Sequence, residues 1–164
     1  MMMPKDFSHN SQLARLMLYE KYLSNNNVPA KLVEAKNEAS LDFVVASIGE
    51  IQVQISFVPI PEEHYQSIEI MQFFVEFGTF SYTKESLETI CNALNQKMAL
   101  GKIIFNSAGK LELRYYAVVA KSQAMEEITF AEFFATFLTS VEFTVEIISS
   151  GLPLEGLLDK IHGY

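Results

Sequence analysis

The stretch from Thr129 to Gly151 constrains the fold most, because it predicts one long helix with a large apolar surface. Thr129 and Glu132 have the spacing of a capping box, and Ile128 is placed to pack onto Phe133 as a hydrophobic staple. At about 100° per residue, one arc of roughly 140° collects eight apolar side chains. They are Phe130, Phe133, Phe134, Phe137, Leu138, Val141, Val145 and Ile148. Such an arc is wide enough to cover a sheet.

Apolar residues outside that arc indicate a partner. Phe143 and Ile147 lie beside small hydroxyl residues, and leaving each in water forgoes roughly 1.5–3 kcal/mol of burial. A first helix, predicted from Leu13 to Leu23, is also apolar on almost every side. We therefore predict a homodimer, with these candidate interface residues: Phe143 and Ile147 first, then Leu18 and Tyr22. The alternative is a monomer whose C-terminal leucines fold back over the third helix.

Between the helices the pattern changes to period two, which indicates strands. Residues 51–57 alternate apolar and polar side chains, as in an antiparallel strand with one covered face. Further strands are predicted at 32–36, 41–47, 65–77, 102–105 and 110–119. In the 65–77 strand the apolar phase slips between Ile70 and Met71, which we interpret as a bulge. A second helix begins at Thr83 and ends by Gly101.

This order of elements, α-β-β-β(-β)-α-β-β-α, predicts a single α+β domain over residues 1–164. We expect an antiparallel sheet of about five strands with helices on one face. The ordered core is expected at 11–150, followed by a tail at 151–164 with at most one short helix. The other face of the sheet is predicted to carry Gln52, Gln54, Gln72, Arg114 and Tyr116, with Ser56 and Glu112. It reads either as a site for a peptide or protein, or as an ordinary wetted surface.

Composition narrows the classes of partner and compartment. The net charge is -8, from 12 basic and 20 acidic side chains, which disfavours nucleic acid and anionic membranes. The single cysteine, Cys91, excludes an intramolecular disulfide and favours the cytoplasm. We find no secretory h-region and no uncharged apolar run of about 18 residues, so we expect no membrane span.

No constellation of residues points to a reaction. The three histidines (His9, His64, His162) and three aspartates (Asp6, Asp42, Asp159) are isolated from one another. Cys91 falls on the apolar stripe of the second helix and reads as a small buried hydrophobe. Glu20 has two readings, a buried acid with a raised pKa or a carboxylate that snorkels or pairs with a lysine. Phosphate-binding and hydrolase motifs are absent from the sequence. We expect no catalytic residue, no metal and no cofactor.

Four segments carry a resemblance to a known family: Leu94–Asn95, Gly101–Asn106, Gly109–Arg114 and Phe130–Phe133. Together they resemble the YbjN-like family, also labelled bacterial sensory transduction regulators, which is similar in topology to the type III secretion chaperones. The clear part covers about residues 83–149. The resemblance implies a compact cytosolic α+β domain, commonly dimeric, without known catalytic residues. The tail after Gly151 departs from the family.

The function we expect is therefore non-catalytic protein binding, by a regulatory or chaperone-like adaptor that acts as a homodimer. The alternative is a dedicated secretion chaperone that holds an extended client segment by strand addition or in apolar grooves. A small enzyme or ligand-binding domain would need a deep polar pocket around His64, Glu20 or Arg114.

Overall fold

The computed structural model describes residues 4–60, 67–98, 100–120 and 127–164, and these form four α-helices and six β-strands. The elements in chain order are α1 (Pro4–Asn25), β1 (Ala30–Val33), β2 (Phe43–Ile48), β3 (Ile51–Phe57), β4 (Ile68–Thr79), α2 (Lys84–Lys97), β5 (Lys102–Phe105), β6 (Lys110–Ala120), α3 (Glu127–Ile148) and α4 (Leu154–His162). The strands form one antiparallel sheet in the order β1-β2-β3-β4-β6-β5. The predicted α+β class is confirmed, whereas the expected number of about five strands was too low.

The position of β1 differs from the predicted strand at 32–36. β1 pairs with β2 from Ala30 opposite Ala46 to Val33 opposite Phe43. The chain then leaves the sheet, because the Ala35 N–H donates to the carboxylate of Asp42 at 2.7 Å instead of to a neighbouring strand. The carboxylate of Asp42 thus ends β1, although the sequence pattern predicts that the strand continues to residue 36.

The described residues form two compact units. Unit 1 runs through Phe73 and resumes from Tyr116 to Phe133, and unit 2 comprises Phe74–Tyr115 and Phe134–Tyr164. Strands β4 and β6 each contain residues of both units. One domain over residues 1–164 stays a prediction.

Aromatic stacking builds the core of unit 1. The ring of Tyr19 on α1 stacks on Phe130 of α3, with centroids 4.2 Å apart and planes within 9°. Phe73 of β4 lies on Phe130 at 6.2 Å, and Phe57 of β3 lies 6.4 Å from Tyr19. Burial raises the pKa of Tyr19 to about 12, so its hydroxyl stays protonated at neutral pH. α1 is thereby fixed against the covered face of the sheet.

Burial alternates from Ile68 to Glu76, so the bulge predicted between Ile70 and Met71 is wrong. Glu69, Met71, Phe73 and Val75 are all buried on the covered face. The apparent slip of phase arises because a buried position is occupied by Glu69 rather than by an apolar residue. Its carboxylate forms an ion pair with the guanidinium of Arg15 on α1.

Helix α2 agrees with its predicted pattern. Thr83 caps it and accepts the Ser86 N–H at 3.2 Å. Leu87, Ile90, Cys91 and Leu94 are buried, so the assignment of Cys91 as a core residue is confirmed.

The start of α3 differs from the prediction. The helix already includes Glu127 and Ile128, so Thr129 lies within its first turn and is not the cap residue. Ile128 is 73% exposed and does not act as a staple. The predicted capping box and staple are therefore both wrong.

The buried stripe of α3 also differs. It contains Phe130, Phe134, Phe137, Ser140, Val141, Thr144 and Ile147. The prediction that Ile147 lies outside the covered arc is wrong. The stripe shifts because the second half of α3 meets other neighbours: the Ser140 hydroxyl donates to the Leu100 carbonyl at 2.8 Å.

The tail folds back, as the monomer alternative predicted, and it contains the short helix α4. Leu157 and Ile161 of α4 are buried, and α4 packs against α2. The ring of Tyr164 meets Phe143 edge-on at 5.0 Å. The contact to Phe143 thus comes from Tyr164, whereas the prediction assigned it to the leucines.

By length and composition alone, α3 is apolar enough to cross a membrane. Such a helix is weak evidence for a span, because core helices pass the same test. The carboxylates of Glu132, Glu142 and Glu146 are exposed along it, and its buried stripe packs within the fold.

Candidate functional site

The four predicted interface residues do not form a free apolar surface. Ile147 is fully buried, and Phe143 is half-buried beneath Tyr164. Tyr22 is half-buried and meets Phe130 edge-on at 6.0 Å, while Leu18 is half-buried on α1. Ile147 is therefore not available to a partner, whereas an interface through Phe143, Leu18 and Tyr22 stays a prediction.

The surface that does fit a partner is the sheet face turned away from the buried core. We call its part in unit 1 the outer face. It consists of Lys31, Val33, Phe43, Val45, Ser47, Gln52, Gln54, Ser56, Ile68, Ile70, Gln72, Tyr116 and Val118. Strand register aligns these side chains in rows: Lys31 lies opposite Val45, and Val45 opposite Gln54.

The structure places four of the five predicted polar-face residues on the outer face. Gln52 and Gln54 are exposed, Gln72 is half-buried, and Tyr116 is 48% exposed. Arg114 belongs to unit 2, two residues before Tyr116 on β6.

The outer face is more apolar than the sequence analysis predicted. Val118 is 60% exposed, and Val45, Ile68 and Ile70 are half-buried. The sequence of β4 already contained the pattern that indicates these apolar residues, because Ile68 and Ile70 are out of phase with Met71 and Phe73. That pattern was interpreted as a bulge, although it means a strand with apolar residues on both faces.

Among the thirteen residues of the outer face, the charged one is Lys31, on the edge strand β1, although the whole chain has 20 acidic side chains and a net charge of -8. On β4 the next outward side chains after Gln72 are Phe74 and the exposed Glu76, so the charge-poor patch ends there. Depletion of charge at an exposed apolar patch is typical of the centre of a protein interface.

Unit 2 carries a ladder of paired charges on β4, β6 and the turn before β6. Lys110 lies 3.1 Å from Glu76, and Glu112 accepts from Asn106 at 3.0 Å and from the Arg114 Nη2 at 3.1 Å. The Arg114 guanidinium also lies 5.0 Å from the centre of the Phe74 ring. The two cations and two anions balance, so this ladder attracts neither sign of charge strongly.

One edge of the sheet is closed by a glutamate. In the β1–β2 register, Leu32 directs its backbone groups away from β2, and its N–H donates to the carboxylate of Glu20 at 3.0 Å. Glu20 thereby protects an edge strand, a role that the sequence did not indicate.

The opposite edge is closed by an asparagine. The Ile103 N–H donates to Asn95 Oδ1 at 2.7 Å, and the Asn95 amide donates to the Ile103 carbonyl at 2.8 Å. These are the outward-facing backbone groups of β5 at that position. Asn95 thus occupies the bonds that an added strand would need. In the sequence, Asn95 was named only as part of the Leu94–Asn95 pair, and no structural role was predicted for it.

The described residues show no catalytic cluster. Within them, no group of three or more His, Cys, Asp or Glu side chains is placed to hold a metal ion. Burial raises the pKa of the Cys91 thiol to about 11, so the thiolate is scarce at neutral pH. His162 is exposed, whereas His64 lies outside the described residues.

Three clefts lie on the described surface. One in unit 1, of about 770 Å³, is lined mainly by the polar loop at 35–42. Two in unit 2, of about 560 and 500 Å³, lie beside Tyr82 and Asn106 and beside Phe143 and Tyr164. Glu20 and Arg114 line none of these three clefts.

Comparison with known proteins gave no relative. No protein-family model matches the sequence, and neither a curated protein nor a solved structure matches it significantly. The resemblance to the YbjN-like family accordingly stays a prediction.

Proposed function

We propose that this chain is a non-catalytic protein-binding domain, a regulatory or chaperone-like adaptor that binds its partner through the outer face. The observation that supports this proposal is a charge-poor sheet face in unit 1, on which Tyr116 and Val118 are exposed beside half-buried Val45, Ile68 and Ile70, in a chain of net charge -8. Its apolar residues come from β1, β2, β4 and β6, so they form a patch rather than scattered single residues.

Energetics favour covering this patch. Full burial of a Val or Ile side chain contributes roughly 1.5–3 kcal/mol, and Val118 retains 60% of its exposure. Tyr116 adds a large ring with a polar tip, and tyrosine is enriched at interfaces for that reason. A partner that covers Val118, Tyr116 and their apolar neighbours recovers this free energy.

Strand addition by an extended client, the secretion-chaperone alternative, has less support. Leu32 and Ile103 present backbone groups at the two edges of the sheet, and Glu20 and Asn95 already bind them. A client would have to displace these bonds before it could pair with either strand. Face binding requires no such exchange.

Photo-crosslinking tests the proposal. A benzophenone amino acid at Tyr116, placed in the chain in its native host, should yield a covalent adduct with another polypeptide under ultraviolet light. The matched control is the same amino acid at Ile128, which is more exposed but lies on α3. A defined adduct from position 116 and none from 128 supports the proposal, whereas equal or absent adducts contradict it.

A further inference from the structure

We propose that a cleft in unit 2 binds a small aromatic carboxylate, with the ring against Phe143 and the carboxylate on Lys97. This cleft, here called the Phe143 cleft, is lined by Lys97 and by apolar walls that include Met98, Leu100, Ala135, Phe143 and Tyr164. Its volume of about 500 Å³ is within the range of small-molecule sites. The cleft lies within unit 2 and uses no residue of the outer face, so this site is additional to the proposed function and independent of it.

The walls of the Phe143 cleft suit a flat apolar ring. Met98 follows the last residue of α2, Phe143 belongs to α3, and both side chains are half-buried. A thioether and an aromatic ring each attract another ring beyond the free energy of burial. Ala135 on α3 has a small side chain, which leaves room for the ligand.

Hydroxyl groups at the cleft are already bonded within the fold. The buried Ser140 hydroxyl donates to the Leu100 carbonyl at 2.8 Å, and the Thr139 hydroxyl donates to the Ala135 carbonyl at 3.2 Å. Because Ser140 ties the loop after α2 to α3, this side of the cleft is preformed. Selection of the ligand by charge therefore depends on Lys97.

Lys97 favours an anion. Among the described residues that line the cleft it is the charged one, although the chain as a whole has a net charge of -8. Its ammonium donates to the main-chain oxygen of Tyr164 at 2.9 Å, which is the one hydrogen bond that it makes within the described residues. An ammonium has three N–H donors, so a ligand carboxylate can bind beside that oxygen.

Tyr164 itself shows the chemistry that the cleft accepts. Its ring meets Phe143 edge-on at 5.0 Å, while its main-chain oxygen accepts from Lys97. A ring and an oxygen acceptor thus already contact the two side chains that we assign to the ligand. The hydrogen bond to Glu146 raises the pKa of the Tyr164 hydroxyl, so this wall stays uncharged at neutral pH. Glu146 is not among the residues that line the cleft.

Methyl NMR locates the ligand. With isotope-labelled methionine methyl groups, titration of the full chain with naphthoate to millimolar concentration should shift the Met98 signal, because a bound ring lies against its thioether. Met98→Leu assigns that signal. The control is Met17, which is 55% exposed on α1 and should not shift. A Met98 signal that does not move, or a Met17 signal that moves equally, overturns the proposal.

Charge variants test the role of Lys97. Calorimetric titration should show that Lys97→Met weakens naphthoate binding about fivefold, as loss of a partly exposed ion pair does, and leaves the weaker binding of neutral naphthamide unchanged. Lys102→Met removes an exposed lysine of β5 and should change neither affinity. Phe143→Ala should weaken both ligands, with circular dichroism as the check on folding. Equal affinity of wild type and Lys97→Met for naphthoate overturns the proposal, whereas crosslinking at position 116 is unaffected by either result.

Discussion

At the scale of single residues, the buried ion pair of Arg15 and Glu69 has the largest expected effect on stability. Their side chains are 2% and 8% exposed, and the guanidinium also lies 4.6 Å from the centre of the Phe57 ring. Glu69→Gln leaves a buried positive charge without its counter-ion, so we expect unfolding to become about 3–5 kcal/mol easier. Arg15→Met with Glu69→Leu removes both charges and should cost far less, or even stabilise. Urea unfolding of the three proteins measures the difference, and a double variant weaker than Glu69→Gln would contradict it.

The same pair shows why a residue-level pattern misled the sequence analysis. Periodicity records which residues are apolar, so a glutamate at a buried position reads as a break in the strand. Only the position of Arg15, on another element, shows that Glu69 is inside. Cys91 could be assigned from the sequence because its burial follows from its own helix alone.

At the scale of elements, side chains from helices close both edges of the sheet, and the Asn95 bonds to β5 can be tested. Asn95→Leu leaves the Ile103 N–H and carbonyl unpaired, so we expect a loss of about 1–3 kcal/mol and a Tm lower by about 3–10 °C. The opened edge should also promote aggregation on heating. Asn92→Leu, an exposed change on the same helix, is the control. Calorimetry with light scattering checks both effects, and equal behaviour of the two variants would remove this role of Asn95.

Helices and strands were predictable from the sequence where their own apolar periodicity matches the face that they bury. α2, β3 and β6 follow their apolar periodicity closely. The edge contacts were not predictable, because they join residues separated in sequence, such as Glu20 and Leu32. The interface residues on α3 were misplaced for a similar reason. A fixed arc assumes one neighbour along the whole helix, whereas the stripe of α3 shifts to include Ile147.

At the scale of the whole molecule, charge distribution carries more functional information than any motif. The net charge of -8 follows from composition, but only the fold shows that the outer-face residues of unit 1 include one charged side chain, Lys31. Only the fold likewise shows that Ile68 and Ile70 share a face with half-buried Val45 and with exposed Tyr116 and Val118. A charge-poor surface on an acidic chain is where association meets the least electrostatic repulsion.

This arrangement predicts how salt acts on self-association. Two copies of net charge -8 repel at long range, and that repulsion is screened as the Debye length falls from about 30 Å at 0.01 M salt to about 8 Å at 0.15 M. The homodimer predicted from the sequence is held by apolar contacts, which salt screens little. We therefore expect dimerisation to strengthen as NaCl rises over that range, by sedimentation equilibrium at fixed protein concentration. An interface held by opposite charges would weaken instead, and that result would place the contact elsewhere on the molecule.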